Sequence, residues 1–251
     1  KIHAALKAPF NKKDLARYKY WHNEFFSKSS SLRKVTVTSS GGSTVEKLPG
    51  SSFRFSGKVP DKDTYTFTAN VPKGIYKSLS IEALPDPSMI KNGPGRAGNG
   101  NGVLTFVELQ VADNNGKFKQ YHLKEAHADH AQPGHPASNI LGNNDKGWSI
   151  EGYRLHDKRI AAISLQQPLK VKGNKQIKIK LHFKSPYAKH SFGRVKVNLN
   201  KTKSKDTLIA LKIKKSFDGG KVAKAELMES YKRNYDKNIM ALVSKIKQEK
   251  K

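Results

Sequence analysis

Residues 176–184 read Q-I-K-I-K-L-H-F-K. Ile177, Ile179, Leu181 and Phe183 alternate with Lys178, Lys180, His182 and Lys184. Successive side chains of a strand point to opposite faces. A period of two therefore sends four apolar groups to a core and a basic stripe to the outside of a sheet. The same alternation recurs on either side of this stretch. Val35 and Val37 show it, as do Phe53 and Phe55, Tyr65 and Phe67 between threonines, Leu79, Ile81 and Ala83, and Val107, Leu109 and Val111. Short strands punctuated by Gly and Pro turns predict a mainly β chain folded as a sandwich.

The two ends read differently. Leu15, Tyr18, His22 and Phe25 fall at helical spacing from about Asp14, with Asn11 or Asp14 as the cap, and Ser27 to Ser31 break the pattern. Lys201 to Lys205 is polar and basic, and 201–218 reads as a linker. Beyond it Leu227, Tyr231, Tyr235, Ile239, Leu242 and Ile246 repeat at three and four residues. This predicts one long amphipathic helix over 219–251, opened by Asp218–Gly219–Gly220. Its stripe is too long to leave in water, so these six residues are candidates for an interface with partner segments or subunits. Ala5–Leu6–Lys7, Asp14–Leu15 and Tyr18 resemble Ala210–Leu211–Lys212, Glu226–Leu227 and Tyr231. The pairing suggests a diverged repeat whose helices pack on one another. The expected organisation is a helical flank over 1–33, a sandwich over 34–200, the linker, and the C-terminal helix.

Composition narrows the function classes. The net charge of +28 comes from 48 basic and 20 acidic residues among 251, which predicts attraction to polyanions. Only eight of the 48 are Arg, the better fork for phosphate and base edges. The charges are spread without a run of five or six, which favours an anionic glycan or a diffuse solvated surface over nucleic acid or lipid. No apolar run approaches the roughly 18 residues of a membrane span. The first residue is Lys and no signal peptide precedes it, so a processed or excised segment is expected. There is no Cys, hence no attachment point for a c-type haem. A Cys nucleophile, G-x-S-x-G, a phosphate loop and H-E-x-x-H are all missing, and carboxylates are scarce. The reading is therefore non-catalytic.

Between two of the apolar runs, residues 83–104 read A-L-P-D-P-S-M-I-K-N-G-P-G-R-A-G-N-G-N-G-V-L. Three prolines and five glycines exclude a helix and permit unusual backbone angles. A long ordered loop between strands is more often functional than idle. Asp86, Arg96, Asn99 and Asn101 stand in it. Asp86, Asn99 and Asn101 offer oxygen ligands for a structural calcium. Arg96, Asn99 and Asn101 offer the guanidinium and amides that sugar recognition uses, although no aromatic residue lies in this loop. The bland alternative is that Asn and Gly satisfy turn geometry while Arg96 pairs locally. Trp148 follows a turn and would either stack on a sugar or fill the core. His190 and Arg194 flank Gly193 at a strand start, placed to reach a ligand at the sandwich rim or to serve structure. His127, His130 and His135 lie in E-A-H-A-D-H-A-Q-P-G-H. Neutral imidazoles can ligate zinc or copper. Pro133–Gly134 makes this a loop rather than a ligand-bearing helix, which favours packing or surface roles.

Three blocks resemble the middle β-sandwich domain of the large multidomain planctomycete-type cytochrome c proteins. They are Ala83–Ser88 with Gly93–Arg96 and Asn99–Asn101, then Glu125 to Ile150 with Lys146–Gly147–Trp148–Ser149–Ile150, then His190 with Gly193–Val197. The resemblance spans roughly residues 34–200. It implies a discoidin-like, galactose-binding-like jelly roll between helical regions of a longer periplasmic or extracellular protein. With the residues above, the expected function is a binding or docking module with an acidic carbohydrate as favoured ligand. The alternatives are a structural domain holding partner subunits of a cytochrome-containing complex, and non-specific nucleic-acid binding. The resemblance implies a haem-attaching C-x-x-C-H segment elsewhere in such proteins; this chain has no Cys and is expected to hold no c-type haem of its own.

Overall fold

A computed structural model describes residues 2–24, 32–142, 145–217 and 224–249, without the side chains at 224, 242, 243, 246, 247 and 249. Phe25, Ser27–Ser31, Asp218–Gly219–Gly220 and the side chains of Leu242 and Ile246 lie outside the described residues. The chain divides into two compact units, Ser29–Leu208 and a helical unit of Lys1–Lys28 with Ile209–Lys251.

The first unit is the expected mainly β sandwich of antiparallel sheets. One sheet has five strands. In spatial order these are β1 (Arg33–Ser39), β4 (Asp63–Val71), β12 (Lys175–Phe183), β7 (Phe106–Ala112) and β8 (Phe118–Tyr121). The other has six, ordered β2 (Thr44–Leu48), β3 (Ser52–Ser56), β13 (Arg194–Asn200), β5 (Gly74–Ala83), β11 (Arg159–Val171) and β9 (Leu123–Ala128). A two-stranded piece pairs β6 (Val103–Leu104) with β10 (Trp148–Ser149). From Ile177 to Phe183 of β12 the odd-numbered residues are buried and the even-numbered ones half-buried, as the alternation predicts. Ile177, Ile179 and Leu181 are fully buried and meet Tyr65, Phe67, Leu79, Ile81, Leu109 and Val197 in one continuous core. Each such side chain contributes roughly 1.5–3 kcal/mol relative to an exposed one. The threonines of β4 and the lysines of β12 share the outer face: Thr66 stands beside Lys180 and Thr68 beside Lys178.

β5 breaks the half-buried rule, because Ser78, Ser80 and Glu82 on its outer face are buried too. Ser80 Oγ accepts from Asn200 Nδ2 at 3.1 Å and Glu82 pairs with Lys158 at 3.6 Å, while Ser78 is covered by the segment expected to be a linker. Ser204–Ser216 is instead a helix, α3. Its first turn closes over β5 and β11 through Ser78 Oγ to Thr207 Oγ1 at 2.9 Å and Ser164 Oγ to Ser204 Oγ at 2.7 Å.

In the helical unit, α1 (Ile2–Lys7) precedes α2 (Lys12–His22). Asn11 is the cap of α2: its side-chain oxygen accepts from Asp14 N at 2.8 Å. The expected single C-terminal helix is two, α4 (Lys224–Tyr235) and α5 (Lys237–Glu249). Asp236 divides them. Its carboxylate accepts from Asn238 N at 2.9 Å and Ile239 N at 3.2 Å, and so caps α5. The amphipathic stripe is consumed inside the unit. Leu227, Tyr231 and Ile239 are buried, and Tyr235 packs against the same cluster. Tyr231 meets Tyr18 and Trp21 with ring centroids 5.3 and 5.0 Å apart. Trp21 Nε1 donates to Tyr235 Oη at 3.2 Å. The expectation that these residues face a partner is therefore corrected for Leu227, Tyr231 and Ile239. Buried Lys232 donates from Nζ to the carbonyls of Leu6, at 2.7 Å, and Ala8. It satisfies the free carbonyls at the C-terminus of α1. Among the described residues no helix is long and apolar enough to cross a membrane.

Candidate functional site

Ala83, the last residue of β5, stands opposite both Arg159, the first of β11, and Val195 at the start of β13. Antiparallel pairing thus gathers the loops 84–102, 150–158 and 184–193 at one rim of the sandwich. The loop leaving β9 joins them, since Ala128 is opposite Ala161. The Pro/Gly loop is stitched down by backbone bonds. Arg96 N donates to Ser191 O at 2.9 Å, Gly193 N to Pro94 O at 2.8 Å, Val103 N to His190 O at 2.8 Å and Ile150 N to Gly102 O at 3.1 Å. Gly95 is required there: a Cβ would lie 2.3 Å from the carbonyl oxygens of Gly100 and Asn101. Gly100 turns the chain at φ 85°, a left-handed angle that other residues adopt at a cost.

A cleft of about 320 Å³ opens among these loops. Asn99 and Asn101 come from the Pro/Gly loop, Gln132 and His135 from the segment after β9, Ser149 from β10, Tyr153 from the next loop, and Tyr187 and His190 from the loop before β13. Asn101 is the hub. Its Nδ2 donates to Ser149 Oγ at 3.1 Å and its Oδ1 accepts from Gly152 N at 3.0 Å. Ser149 Oγ donates in turn to Gln132 Oε1 at 2.7 Å. Tyr153 Oη donates to Glu151 Oε1 at 3.2 Å. Glu151 is buried, holds φ at 55°, and also takes His130 Nε2 at 2.6 Å and Arg154 at 3.0 Å. The His130 bond, aided by Arg154 and Tyr153 and opposed by burial, holds the Glu151 carboxyl below the usual carboxylate range. Arg159, 2% exposed, ties the same loop from beneath, donating to Ile150 O at 3.2 Å and to the Asp157 carboxylate. Tyr187 remains 58% exposed at the rim, its ring 5.6 Å from that of His190. Among the described residues, no Lys, Arg, Asp or Glu lines the cleft.

Of the expected ligand residues, Asn99, Asn101 and His190 come together here and three do not. Arg96 turns inward and is 7% exposed: its guanidinium donates to Ser43 Oγ at 2.7 Å and Lys58 O at 2.9 Å, beneath the loop rather than above it. The hydroxyl of Tyr65 lies in the same buried network, and burial raises it to about 12 against the pull of Arg96. Trp148 is fully buried. Its Nε1 donates to His130 O at 2.8 Å and its ring meets Phe192 edge-on, the core alternative of the two foreseen. Arg194 donates to Ser52 Oγ at 3.0 Å and stands 4.0 Å from Asp86, away from the cleft lining.

The residues do not fit the expected calcium. Asp86 is buried and faces the guanidinium groups of Arg54, at 3.7 Å, and Arg194. A cation there would have to displace both. Burial pushes the Asp86 carboxyl up, but the hydroxyl and amide of Ser88 and the two arginines outweigh it and hold the carboxyl low. Asn99 and Asn101 line the cleft without Asp86. The three histidines of the 125–135 segment also part company. His127 Nε2 stands 3.2 Å from the Glu125 carboxylate without a hydrogen bond, His130 bonds Glu151, and His135 bonds Lys146 O through Nδ1 at 2.7 Å. Among the described residues no three His, Cys, Asp or Glu side chains cluster as metal ligands.

Tyr153, Tyr187 and Gln132 were not singled out by the sequence, and His135 was weighed only as a metal ligand against a packing or surface role. They reach the cleft from loops far apart in the chain. The one available signal was Tyr187, an aromatic residue in a Pro-containing loop, where no core position needs it.

No family model matches the sequence, and no curated protein matches it. Solved structures do. One is CBM32-3 from a family 31 glycoside hydrolase from Clostridium perfringens, with 11% identity over 68% of this chain and 92% of that one and a TM-score of 0.30. Another is the C-terminal family 22 carbohydrate binding module of Clostridium thermocellum Xyn10B, with 11% identity over 65% and 92% of the two chains and a TM-score of 0.16. Likenesses this distant carry no argument about ligand, and the fold stands on its own strand pairing.

Proposed function

We propose that the sandwich is a non-catalytic carbohydrate-binding module and that the rim cleft is its site. The observation that carries this reading is the convergence of side-chain amides, a hydroxyl, imidazoles and an exposed Tyr187 ring in one open cleft. A sugar ring presents an apolar face to an aromatic plane and a ring of hydroxyls to amides and imidazoles. Among the described residues, nothing in the cleft is arranged as a nucleophile with a base and an orienting group, which supports a binding rather than a catalytic role. The family resemblance supports a place in a larger extracytoplasmic assembly, with the module docking its parent protein on a glycan. The apolar stripe folded inside the helical unit argues against the alternative in which those helices exist to hold partners.

The test is retention on immobilised polysaccharides by the full chain and by Tyr187→Ala. The proposal expects at least one polysaccharide to retain the parent chain and to release the variant. A panel on which the two behave alike would defeat it.

A further inference from the structure

Resting on the reading above, we infer that the cleft selects an uncharged glycan, in spite of the strongly cationic chain, because two imidazoles are fixed as hydrogen-bond acceptors for sugar hydroxyls. His135 Nδ1 lies 2.7 Å from Lys146 O, and His190 Nδ1 lies 2.8 Å from Ala188 O. A carbonyl oxygen can only accept, so in each neutral ring the proton sits on Nδ1 and the lone pair is left on Nε2. Neither Nε2 has a protein partner among the described residues, and both rings line the same cleft. The donors that face them are neutral. Gln132 uses its oxygen to accept from Ser149, and Asn99 uses its oxygen to accept from Asn101 N at 2.9 Å, which among the described residues leaves both NH₂ groups unclaimed. Tyr187 supplies the flat apolar surface.

This set of two acceptors, two neutral donors and one ring face matches a ligand rich in hydroxyls, each of which both donates and accepts. It does not match a carboxylate or sulfate. An anion brought here meets two lone pairs instead of a guanidinium or ammonium, and loses hydration without a charge-assisted bond to replace it. The cationic side chains stand outside the cleft lining, exposed at Lys146 and Lys189 beside it and half-buried at Lys178 and Lys180 of β12. Acidic polymers should therefore bind too, but through that surface and in a screened, sequence-wide manner. Two modes of glycan binding result, and salt separates them.

The experiment titrates the full chain and Tyr187→Ala with neutral oligosaccharides (galactan, mannan, xylan and β-glucan fragments) and with oligogalacturonate and heparin fragments, at 0.05 and 0.5 M NaCl. The expected result is a neutral oligosaccharide whose Kd changes less than about twofold with salt and rises at least tenfold in Tyr187→Ala. Binding of the acidic fragments should fall more than a hundredfold with salt and be the same in both proteins, as for diffuse charge attraction. His135→Ala and His190→Ala should each weaken the neutral ligand about fivefold or more. Nitrogen NMR of the imidazoles should show both neutral rings protonated at Nδ1. Acidic binding that survives 0.5 M NaCl and is lost in Tyr187→Ala would overturn this inference while leaving the cleft as a carbohydrate site. Rings protonated at Nε2, or histidine variants that bind the neutral ligand as the parent does, would overturn it as well. If no glycan responds to Tyr187→Ala, the cleft reading itself fails.

Discussion

Arg96 and Tyr187 make opposite predictions when truncated to alanine. Arg96 donates two bonds from a charged group, to Ser43 Oγ at 2.7 Å and Lys58 O at 2.9 Å, at a position 7% exposed. Bonds of this kind are worth roughly 1.5–3 kcal/mol each. Arg96→Ala should thus cost about 3–5 kcal/mol once partial relaxation is allowed. At roughly 2–4 °C per kcal/mol for a unit of this size, the sandwich should melt about 6–20 °C lower. Tyr187 is 58% exposed, and among the described residues its ring lies near that of His190 alone. Tyr187→Ala should change stability by no more than about 0.5 kcal/mol. Its effect belongs to binding, where losing an aromatic anchor costs on the order of 1.5–2 kcal/mol, a tenfold to thirtyfold rise in Kd. Thermal melts and glycan titrations on both variants, run well below the lowered melting point, separate the two roles. Arg96→Ala should keep near-parental affinity. An Arg96→Ala protein of parental stability that no longer binds would refute the inward placement of the guanidinium, and with it the geometry of the loop.

Ile179→Ala should cost about 2–4 kcal/mol in denaturant melts through lost contacts and a cavity, whereas Lys180→Ala, which gives up a half-buried pair with Glu108 at 3.4 Å, should cost within about 1 kcal/mol. Lys232→Met should strip the carbonyls at the end of α1 of their donor; amide exchange of residues 2–8 should accelerate while that of β4, β5 and β12 stays unchanged. Glu151 has a folded-state pKa below its ordinary value, so its contribution to stability is complete above about pH 4.5 and is lost as pH falls through the lowered value. Glu151→Gln should therefore narrow the stability gap between pH 6 and pH 3 in urea melts, and an unchanged pH profile would mean the carboxylate is not held by His130 and Arg154.

What the sequence showed and what it hid have physical causes. The sandwich was legible because period-two burial is a local property of each strand, and β12 obeys it from Ile177 to Phe183. The helix over Ser204–Ser216 was not, because its buried positions Ser204, Thr207, Ala210 and Ile213 include two polar residues matched to serines of the sheet. Asp236 carried a capping signal inside the long helical pattern, and the regular stripe on either side of it hid the break. The Pro/Gly loop stood out in the sequence, and Asn99 and Asn101 reach the cleft from it. Residue type alone could not say that Arg96 points down into the Ser43 and Lys58 network while the aromatic plane arrives from Tyr187. That depends on which strand ends meet at the rim, a non-local fact set by the pairing of β5 with β11 and β13.

Hydrogen exchange of the full chain, with and without the neutral oligosaccharide it binds most tightly, tests the central claim most directly. Binding at the rim cleft predicts new protection confined to residues 99–103, 132–135, 149–153 and 187–190. Protection spread over the lysine face of β12, confined to the helical unit, or absent with every neutral glycan would contradict it.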